Sequence, residues 1–577
     1  MKKQSLPFLE YNIIFIALLV PIYFALIIAR LYYLQIVEHD HFAHRSTENF
    51  LRYETNNPIR GNIVDCHNQL LATNKPQVHL CWKGSGKRKL SPEQFKKLEL
   101  IQLLSQQDLQ CSQENIEIAE RKQNTVRLIP NISFGLLTSI VEQFPHDENI
   151  ILETDYTRYY PHNFLASHAL GYLGILNITS EGKMGLEKWC EKHLQGHKGY
   201  TEKFLNSCGK TIQAEEIQAS RTGDTIQVTL DLVLQTIAEE SYPQEYKGAL
   251  VLMESETGKI RALLSRPSFD PNIFSKRIDQ KTWDHLQEHQ PFLNRIFTAG
   301  YPPGSIFKIV TLTTALENNM ITTTTECVCK GFVRLGLRKF HCNRKTGHGR
   351  MPVRESLAQS CNTLFFILGK TLDIDLLADY AGRFGLGKSI NPQFNDFSGL
   401  IPTKAWKKRI KKEPWWQGET VSATIGQSFF LVTPLQIAQM FASIETGYLT
   451  QPHILENQEI VRTPLDISTE TRQFIKSALY ETIYYGTGRE LQRIKGLEIY
   501  AKTSTAQITS LENSETGEER YKEHRWLTIN FKYEDNPWMT LIILVERAPE
   551  KRACTKIALN FLREYKKRIK ATSKITQ

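Results

Sequence analysis

From Tyr11 to Ala29 no residue is charged, and most positions are Ile, Leu, Val, Phe or Ala. A helix needs roughly 20 such residues to cross a hydrocarbon layer, so the pattern predicts a transmembrane anchor over 11–34. Lys2 and Lys3 favour a cytoplasmic tail at 1–10, although Arg30 on the far side blurs that rule. A cleaved signal peptide is the alternative. No small-residue cleavage pattern follows the run, however, and Arg30-Leu31-Tyr32-Tyr33 suits an interfacial belt. The chain beyond the anchor is therefore expected outside the cytoplasm.

Residues 45–215 mix strand-like alternation, as in Gly61-Asn62-Ile63-Val64-Asp65, with polar helical stretches, and read as a β-rich domain without catalytic groups. A connector follows at 216–247, with a turn at Gly223-Asp224 and a helix expected at about 231–240. From 248 to 570 the texture changes. Ala249 to Met253 reads as a buried strand, Glu256-Thr257-Gly258-Lys259 as a hairpin turn, and Ile260 to Leu264 as the partner strand. Trp526 to Lys532 and Met539 to Val545 repeat that logic around Asp535-Asn536-Pro537, and a basic helix, about Ala553 to Lys570, follows. Strands at both ends with helices between them predict one antiparallel sheet in an α+β domain.

At 577 residues the chain exceeds what one hydrophobic core serves, so at least two domains are expected. The net charge of +10, from 71 basic and 61 acidic residues, is a modest excess. No concentrated Lys/Arg stripe with interleaved aromatics stands out, which argues against a nucleic-acid partner.

Three short runs carry the chemistry. Pro302-Pro303-Gly304 stops one segment, and Ser305 opens the apolar run Ile306 to Leu316, which places Lys308 one helical turn on and on the same face. A serine hydroxyl needs an adjacent base to act as a nucleophile, and a desolvated Lys308 would be neutral enough to serve. Taken alone, Ser305 reads equally well as the cap of a core helix. Ser360-Cys361-Asn362 lies between a helical stretch, Val353 to Gln359, and the apolar run Leu364 to Leu368. Its hydroxyl and amide suit proton relay and substrate contact, or simply a polar interhelical loop. Lys502-Thr503-Ser504-Thr505 follows Ile499-Tyr500 as a strand edge, to which a peptide can add by main-chain hydrogen bonds.

In this order and combination the three runs resemble the S-x-x-K, S-x-N and K-T-G set of penicillin-binding proteins and serine β-lactamases. The resemblance extends along the chain to class B penicillin-binding proteins. Arg60-Gly61 with Asp65, Arg158-x-Tyr160-Pro161, Gly185-Leu186-Glu187 and the Gly196 to Gly199 turn match the family's non-catalytic pedestal. Gly347-His348-Gly349, Pro414 to Glu419, and Gly426-Gln427 with Thr433-Pro434 are similar to the elongation subtype, penicillin-binding protein 2, rather than the septal one.

The resemblance implies a penicillin-sensitive peptidoglycan D,D-transpeptidase. Ser305 would be the nucleophile and Lys308 its base, within hydrogen-bonding reach of it. Ser360, Asn362 and Lys502 would complete the catalytic groups. Lys502, Thr503 and Thr505 would hold the substrate carboxylate, and the Ser305 and Thr505 N–H groups would form the oxyanion hole. Ser504 and Trp526 are placed on the substrate side, with Trp415 and Trp416 along an extended cleft. The expected partners are stem peptides, β-lactams and a polytopic glycosyltransferase of the elongation type, with no cofactor for catalysis. A septal class B transpeptidase, a D,D-carboxypeptidase, a β-lactam sensor and a silent scaffold are the other readings. Two departures stand out: Ser504 replaces the glycine of K-T-G, and Ser428 replaces the last glycine of G-Q-G.

Among the ten cysteines, Cys329, Cys342 and Cys361 join His348 with spacers of 12, 5 and 12 residues. Cys3His is a common structural zinc set, and these positions match zinc-binding positions of some elongation-type relatives. A metal there would pin the Ser360–Asn362 loop. The competing readings are a disulfide, Cys329 with Cys342 or Cys327 with either, and a merely buried Cys361.

Overall fold

The computed structural model describes residues 7–176, 179–206, 211–275, 278–507 and 523–575. Lys2, Lys3 and most of the expected tail lie outside the described residues. The apolar run lies in the helix Pro7–Tyr32, and its large side chains from Phe15 onward are exposed, as those of a membrane-embedded helix would be.

The rest divides into two compact units. The first takes the described part of 1–59 with 75–157 and 196–223. In it, strand Leu51–Asn56 pairs antiparallel with Gly199–Leu205, which pairs in turn with Thr211–Gln218. A separate core, with Leu80, Trp82, Ile101, Leu128 and Ile140, is enclosed by helices Pro92–Ser105, Gln113–Lys122 and Phe134–Gln143. Each helix starts at a serine whose hydroxyl accepts a backbone N–H: Ser91, Ser112 and Ser133.

The second unit comprises 60–74, 158–195 and 224–577. The motifs Arg60-Gly61, Arg158-x-Tyr160-Pro161 and Gly185-Leu186-Glu187 meet here around one carboxylate. Arg60 Nε reaches Glu187 Oε2 at 2.7 Å, and Arg158 Nε reaches Oε1 at 2.6 Å. The Tyr160 hydroxyl donates to the same Oε1 at 3.1 Å. All four are buried, so removal of any one leaves an uncompensated charge or donor. These residues tie chain segments together and do no chemistry.

The expected antiparallel sheet is present. We label its strands β1 (Gly248–Glu254), β2 (Ile260–Arg266), β3 (Leu497–Gln507), β4 (Glu523–Tyr533) and β5 (Met539–Val545), in the order β2-β1-β5-β4-β3. Strands from both ends of the unit therefore share one sheet, and β3 is its edge. Among its helices are α1 (Leu232–Ser241), α2 (Lys308–Glu317), α3 (Val353–Ala358), α4 (Thr363–Leu368), α5 (Pro434–Thr446), α6 (Thr469–Tyr484) and α7 (Ala553–Ile575). Helices α1 and α7 pack on one face of the sheet, while α5 and α6 pack on the other and carry α2 behind them. α1 is capped by Asp231, whose carboxylate accepts from the Val233 and Leu234 N–H groups. One surface feature departs from the sequence reading. Exposed cations concentrate within 334–345 and 408–412, beside Leu337 and Trp416, an unevenness that net charge conceals.

Candidate active site

Ser305 lies in a single tight turn, Gly304–Ile306, that feeds into α2, so Lys308 is the first residue of the helix rather than its second turn. The turn depends on glycine. Gly304 has φ +53°, and a Cβ there would fall 2.5 Å from Ser504 Oγ and 2.8 Å from the Thr505 carbonyl. Gly426 seals the other side at φ +68°, its carbonyl accepting from Gly304 N at 3.1 Å. Ser305 is half-exposed, while Lys308 is fully enclosed.

Lys308 Nζ donates to the Ser360 carbonyl at 2.7 Å, to Ser360 Oγ at 3.2 Å and to Asn362 Oδ1 at 2.7 Å. Among the described residues its hydrogen bonds go to Ser360 and Asn362 and none goes to the Ser305 hydroxyl, so the expected reach between 305 and 308 is not realised as a hydrogen bond here. The three ammonium donors are used up by the 360–362 loop, and such contacts tighten only with substrate in place. Ser360 sits at φ +55°, a conformation that L residues with side chains rarely adopt. Lys502 Nζ donates to the same Ser360 Oγ at 3.0 Å and to the Thr503 carbonyl at 3.0 Å. One hydroxyl thus lies between two buried lysines.

Burial pulls the Lys308 ammonium down to about 7, against a smaller upward pull from the Cys361 and Cys342 sulfurs. Burial, then repulsion from Lys308, holds Lys502 well below its ordinary value. Two ammonium groups this close without a carboxylate between them do not both stay charged at neutral pH. Burial and mutual repulsion thus push the pair toward the neutral form that general-base chemistry requires.

On β3, Thr503 and Thr505 share one face, and Lys502 and Ser504 share the other. Thr503 Oγ1 is hydrogen-bonded to Thr487 Oγ1, in the turn after α6, and Thr505 Oγ1 accepts from Arg525 Nη1 at 3.2 Å. Ser504 and Trp526 are corrections. Both are buried and turned inward, Ser504 Oγ to the Pro303 carbonyl at 2.8 Å and Trp526 Nε1 to the Pro302 carbonyl at 3.1 Å. Neither lines a cleft. Trp415 also turns its Nε1 to Thr420, whereas Trp416 is exposed. Thr487 and Arg525 were missed. The Gly486-Thr487-Gly488 punctuation before β3 was a signal for the first, but only strand register reveals the second.

Cys329, Cys342, His348 and Cys361 converge. His348 Nδ1 is 3.5 Å from Cys329 Sγ and 3.6 Å from Cys342 Sγ, and the Cys342 and Cys361 sulfurs are 3.7 Å apart. A tetrahedral zinc with bonds of about 2.0–2.3 Å has ligand–ligand edges of about 3.5–3.8 Å, so the set fits that ion. A hydrogen bond from the Cys361 thiol, with backbone N–H donors that include Asn362, holds Cys342 down to about 3. The Thr363 hydroxyl donates to Cys329 Sγ at 3.0 Å. The cysteines among the described residues are free, so neither Cys327 nor Cys329 is bridged to Cys342.

The chain matches the penicillin-binding-protein transpeptidase domain over residues 248–564 and the penicillin-binding-protein dimerisation domain over 55–228. It is 30% identical to the peptidoglycan D,D-transpeptidase MrdA of Acinetobacter baumannii, across 93% of this chain and 84% of that protein. Among solved structures, penicillin-binding protein 2 of Helicobacter pylori, in its complex with MreC, superposes with a TM-score of 0.73 at 27% identity. That match covers 90% of this chain and 99% of that one. A chain from a peptidoglycan synthase complex that coordinates polymerisation and cross-linking superposes with a TM-score of 0.74, at 27% identity and 96% and 98% coverage. A transpeptidase domain matched over more than half of this chain, a dimerisation domain matched before it and penicillin-binding protein 2 relatives together place this chain in the class B penicillin-binding proteins, in the elongation-type branch.

Proposed function

We propose that this chain is a membrane-anchored peptidoglycan D,D-transpeptidase of cell-wall elongation that works through an acyl-enzyme on Ser305. The observation that carries the reading is the Ser360 hydroxyl held between the Lys308 and Lys502 amines, beside the half-exposed Ser305 and an open sheet edge.

A stem peptide ending in D-Ala–D-Ala adds along β3 by main-chain hydrogen bonds. Ser305 Oγ attacks the penultimate carbonyl carbon while its proton passes to neutral Lys308 Nζ. The N–H groups of Ser305 and Thr505 receive the oxyanion. The C–N bond then breaks, and the leaving amine takes a proton through Ser360, which Lys502 keeps polarised. Asn362 orients Lys308 and meets the substrate backbone, while Thr503 and Thr505 hold the terminal carboxylate. The amine of a second stem peptide attacks the ester, forms the cross-link and frees Ser305. A β-lactam follows the first half of this path and stops.

Cys329, Cys342, His348 and Cys361 would hold a structural zinc. Bound there, the ion would act as a rigid cross-link on the loop that carries Ser360 and Asn362 and take no part in bond making. The domain plan proposed here is tail and anchor, pedestal 45–215, connector 216–247 and transpeptidase 248–570, although 60–74 and 158–195 belong to the same compact unit as 224–577. The helix at the N-terminus would anchor the enzyme in the inner membrane with its tail in the cytoplasm. A polytopic glycosyltransferase would supply nascent strands, and an MreC-like protein is a further partner by analogy with the Helicobacter relative.

Covalent labelling by a fluorescent penicillin, with Ser305→Ala as control, tests the nucleophile. Product analysis then separates the outcomes. Cross-linked dimers support transfer, trimmed monomers mean a carboxypeptidase, and no covalent adduct means a scaffold.

A further inference from the structure

Among the described residues a second set of metal-ligating side chains converges away from the active site. Cys66, His67 and Asp231 bring their ligand atoms within 4.8 Å of one another. The backbone around them is held in place by hydrogen bonds of its own. Asp65 Oδ1 accepts from the His67 and Gln69 N–H groups, both at 2.8 Å, and Asn68 N donates to the Asp65 carbonyl at 3.1 Å, which closes the turn 65–69. Cys66 N donates to the Leu230 carbonyl at 2.9 Å, and the Cys66 carbonyl accepts from Gln227 Nε2 at 3.2 Å. Asp65 Oδ2 accepts from Leu232 N at 3.1 Å. The turn is thereby stitched to the residues that lead into α1.

Asp231 divides its carboxylate between two tasks. Oδ1 accepts from the Val233 and Leu234 N–H groups at 2.9 and 3.0 Å, and Oδ2 is left facing His67 Nε2 at 3.3 Å. The Cys66 thiol is half-buried, unbridged and, among the described residues, without a hydrogen-bond partner. Arg261, whose carbonyl accepts from Asp231 N, spends its guanidinium on Glu254 Oε1 at 2.7 Å and the Thr229 carbonyl at 3.0 Å, so it leaves Asp231 Oδ2 free for another cation. A thiolate, a neutral imidazole and a carboxylate together neutralise a divalent ion. Sulfur and imidazole in the set suit zinc and argue against calcium or magnesium. Tetrahedral edges of about 3.3–3.8 Å are shorter than the present spread. The His67 side chain, 65% exposed, has room to swing its ring inward and close the difference.

We infer that Cys66, His67 and Asp231 form a second zinc site, open to solvent, that fastens the 65–69 turn to the start of α1. Three protein ligands leave the fourth position to water. The ion therefore exchanges with the medium and fills only when zinc is supplied, unlike one enclosed by Cys329, Cys342, His348 and Cys361. It takes no part in acyl transfer and acts on how firmly the turn is held.

The test uses the full-length protein in detergent, with thiols kept reduced. Zinc uptake at buffered free-zinc concentrations is measured by elemental analysis for the natural protein, His67→Ala and Cys66→Ser, and melting temperature is followed over the same series. The natural protein should bind about one more zinc than either variant, and its melting temperature should rise with zinc in a step that both variants lose. Cobalt serves as an optical probe of the sulfur ligand. The natural protein should gain more thiolate-to-cobalt absorption in the near ultraviolet than Cys66→Ser. Equal zinc uptake in all three proteins, or equal cobalt absorption in the natural protein and Cys66→Ser, would place the metal on scattered surface groups and overturn the inference. If Cys66→Ser does not fold, His67→Ala decides: its zinc uptake and its cobalt absorption must both fall below those of the natural protein, or the inference fails. Absence of an ion at the Cys3His set would leave the difference between the natural protein and His67→Ala intact, so the two sites fail separately.

Discussion

Ser504 and Trp526 face each other across β3 and β4, and each donates a side-chain hydrogen bond to one of two successive carbonyls, those of Pro303 and Pro302. The two prolines lead directly into Gly304 and Ser305. The strand that carries Thr505, one proposed oxyanion donor, is thereby clamped to the turn that carries Ser305, the other. With glycine at 504 this face would keep only the indole bond.

Replacing Ser504 by glycine removes a buried hydrogen bond and adds backbone freedom within a strand. A loss of about 1–2 kcal/mol in stability is expected. Labelling by penicillin should slow several-fold as the two N–H donors lose their fixed separation. Ser504→Ala, which keeps the Cβ, should show most of the kinetic loss with less of the stability loss. Calorimetry and labelling rates on the two variants check this, and unchanged kinetics in both would show the bond to be incidental.

The depressed Lys308 amine makes a prediction about pH. Acylation needs the neutral amine, so the labelling rate should rise with pH through a midpoint near 7 and level off above it. Stability follows the same group. Below pH 7 the amine is charged in both folded and unfolded chains, and its full burial cost is present. Above the ordinary lysine value it is neutral in both, and the cost vanishes. Stability should therefore climb between about pH 7 and 10. Lys308→Met should abolish labelling and raise stability at pH 7 by about 1–3 kcal/mol, as removal of unpaired buried charge often does. A melting series across pH on both proteins tests it, and a flat natural profile would refute the burial argument.

Ser428 is exposed and has φ +78°, where a side chain pays a steric cost that glycine avoids. Among the described residues its hydroxyl has no hydrogen-bond partner that the substitution would remove. Ser428→Gly, which restores the usual third residue of that run, should stabilise the protein by about 0.5–1 kcal/mol without altering labelling. A lower melting temperature for the variant would show that the loop is held by something other than its backbone conformation.

What was legible in the sequence follows from how local each signal is. The sheet strands were readable because five-to-seven-residue apolar runs flanked by turns need no distant information. Ser305 and Lys308 were readable from spacing along a helix. The inward direction of Ser504 and Trp526 was not, because it depends on which face of β3 meets the Pro302–Pro303 turn. The alternation of Lys502 and Ser504 against Thr503 and Thr505 was visible, but the occupant of each face was not. Arg525 was invisible for a related reason: its partner Thr505 is 20 residues away in the chain, and only register brings them together. The Glu187 cluster was seen as separate motifs, since ion pairs over more than a hundred residues leave no mark in local pattern.

The Cys3His set carries the last prediction. Its side-chain distances suit a tetrahedral ion, and Cys361 lies between the two residues that hold Lys308, so an ion bound there would act on the same short loop that positions Lys308. Purified protein should contain about one zinc per chain. Stripping it with a chelator should lower the melting temperature by several degrees and slow penicillin labelling several-fold, with recovery on adding zinc back. Cys361→Ser should behave like the stripped protein although Ser360 and Asn362 are intact, because a serine hydroxyl is a poor zinc ligand. Four thiol and imidazole groups packed this tightly without an ion would instead gain nothing from zinc and lose nothing to the chelator. Elemental analysis with no metal, and kinetics insensitive to both treatments, would leave the loop held by hydrogen bonds alone.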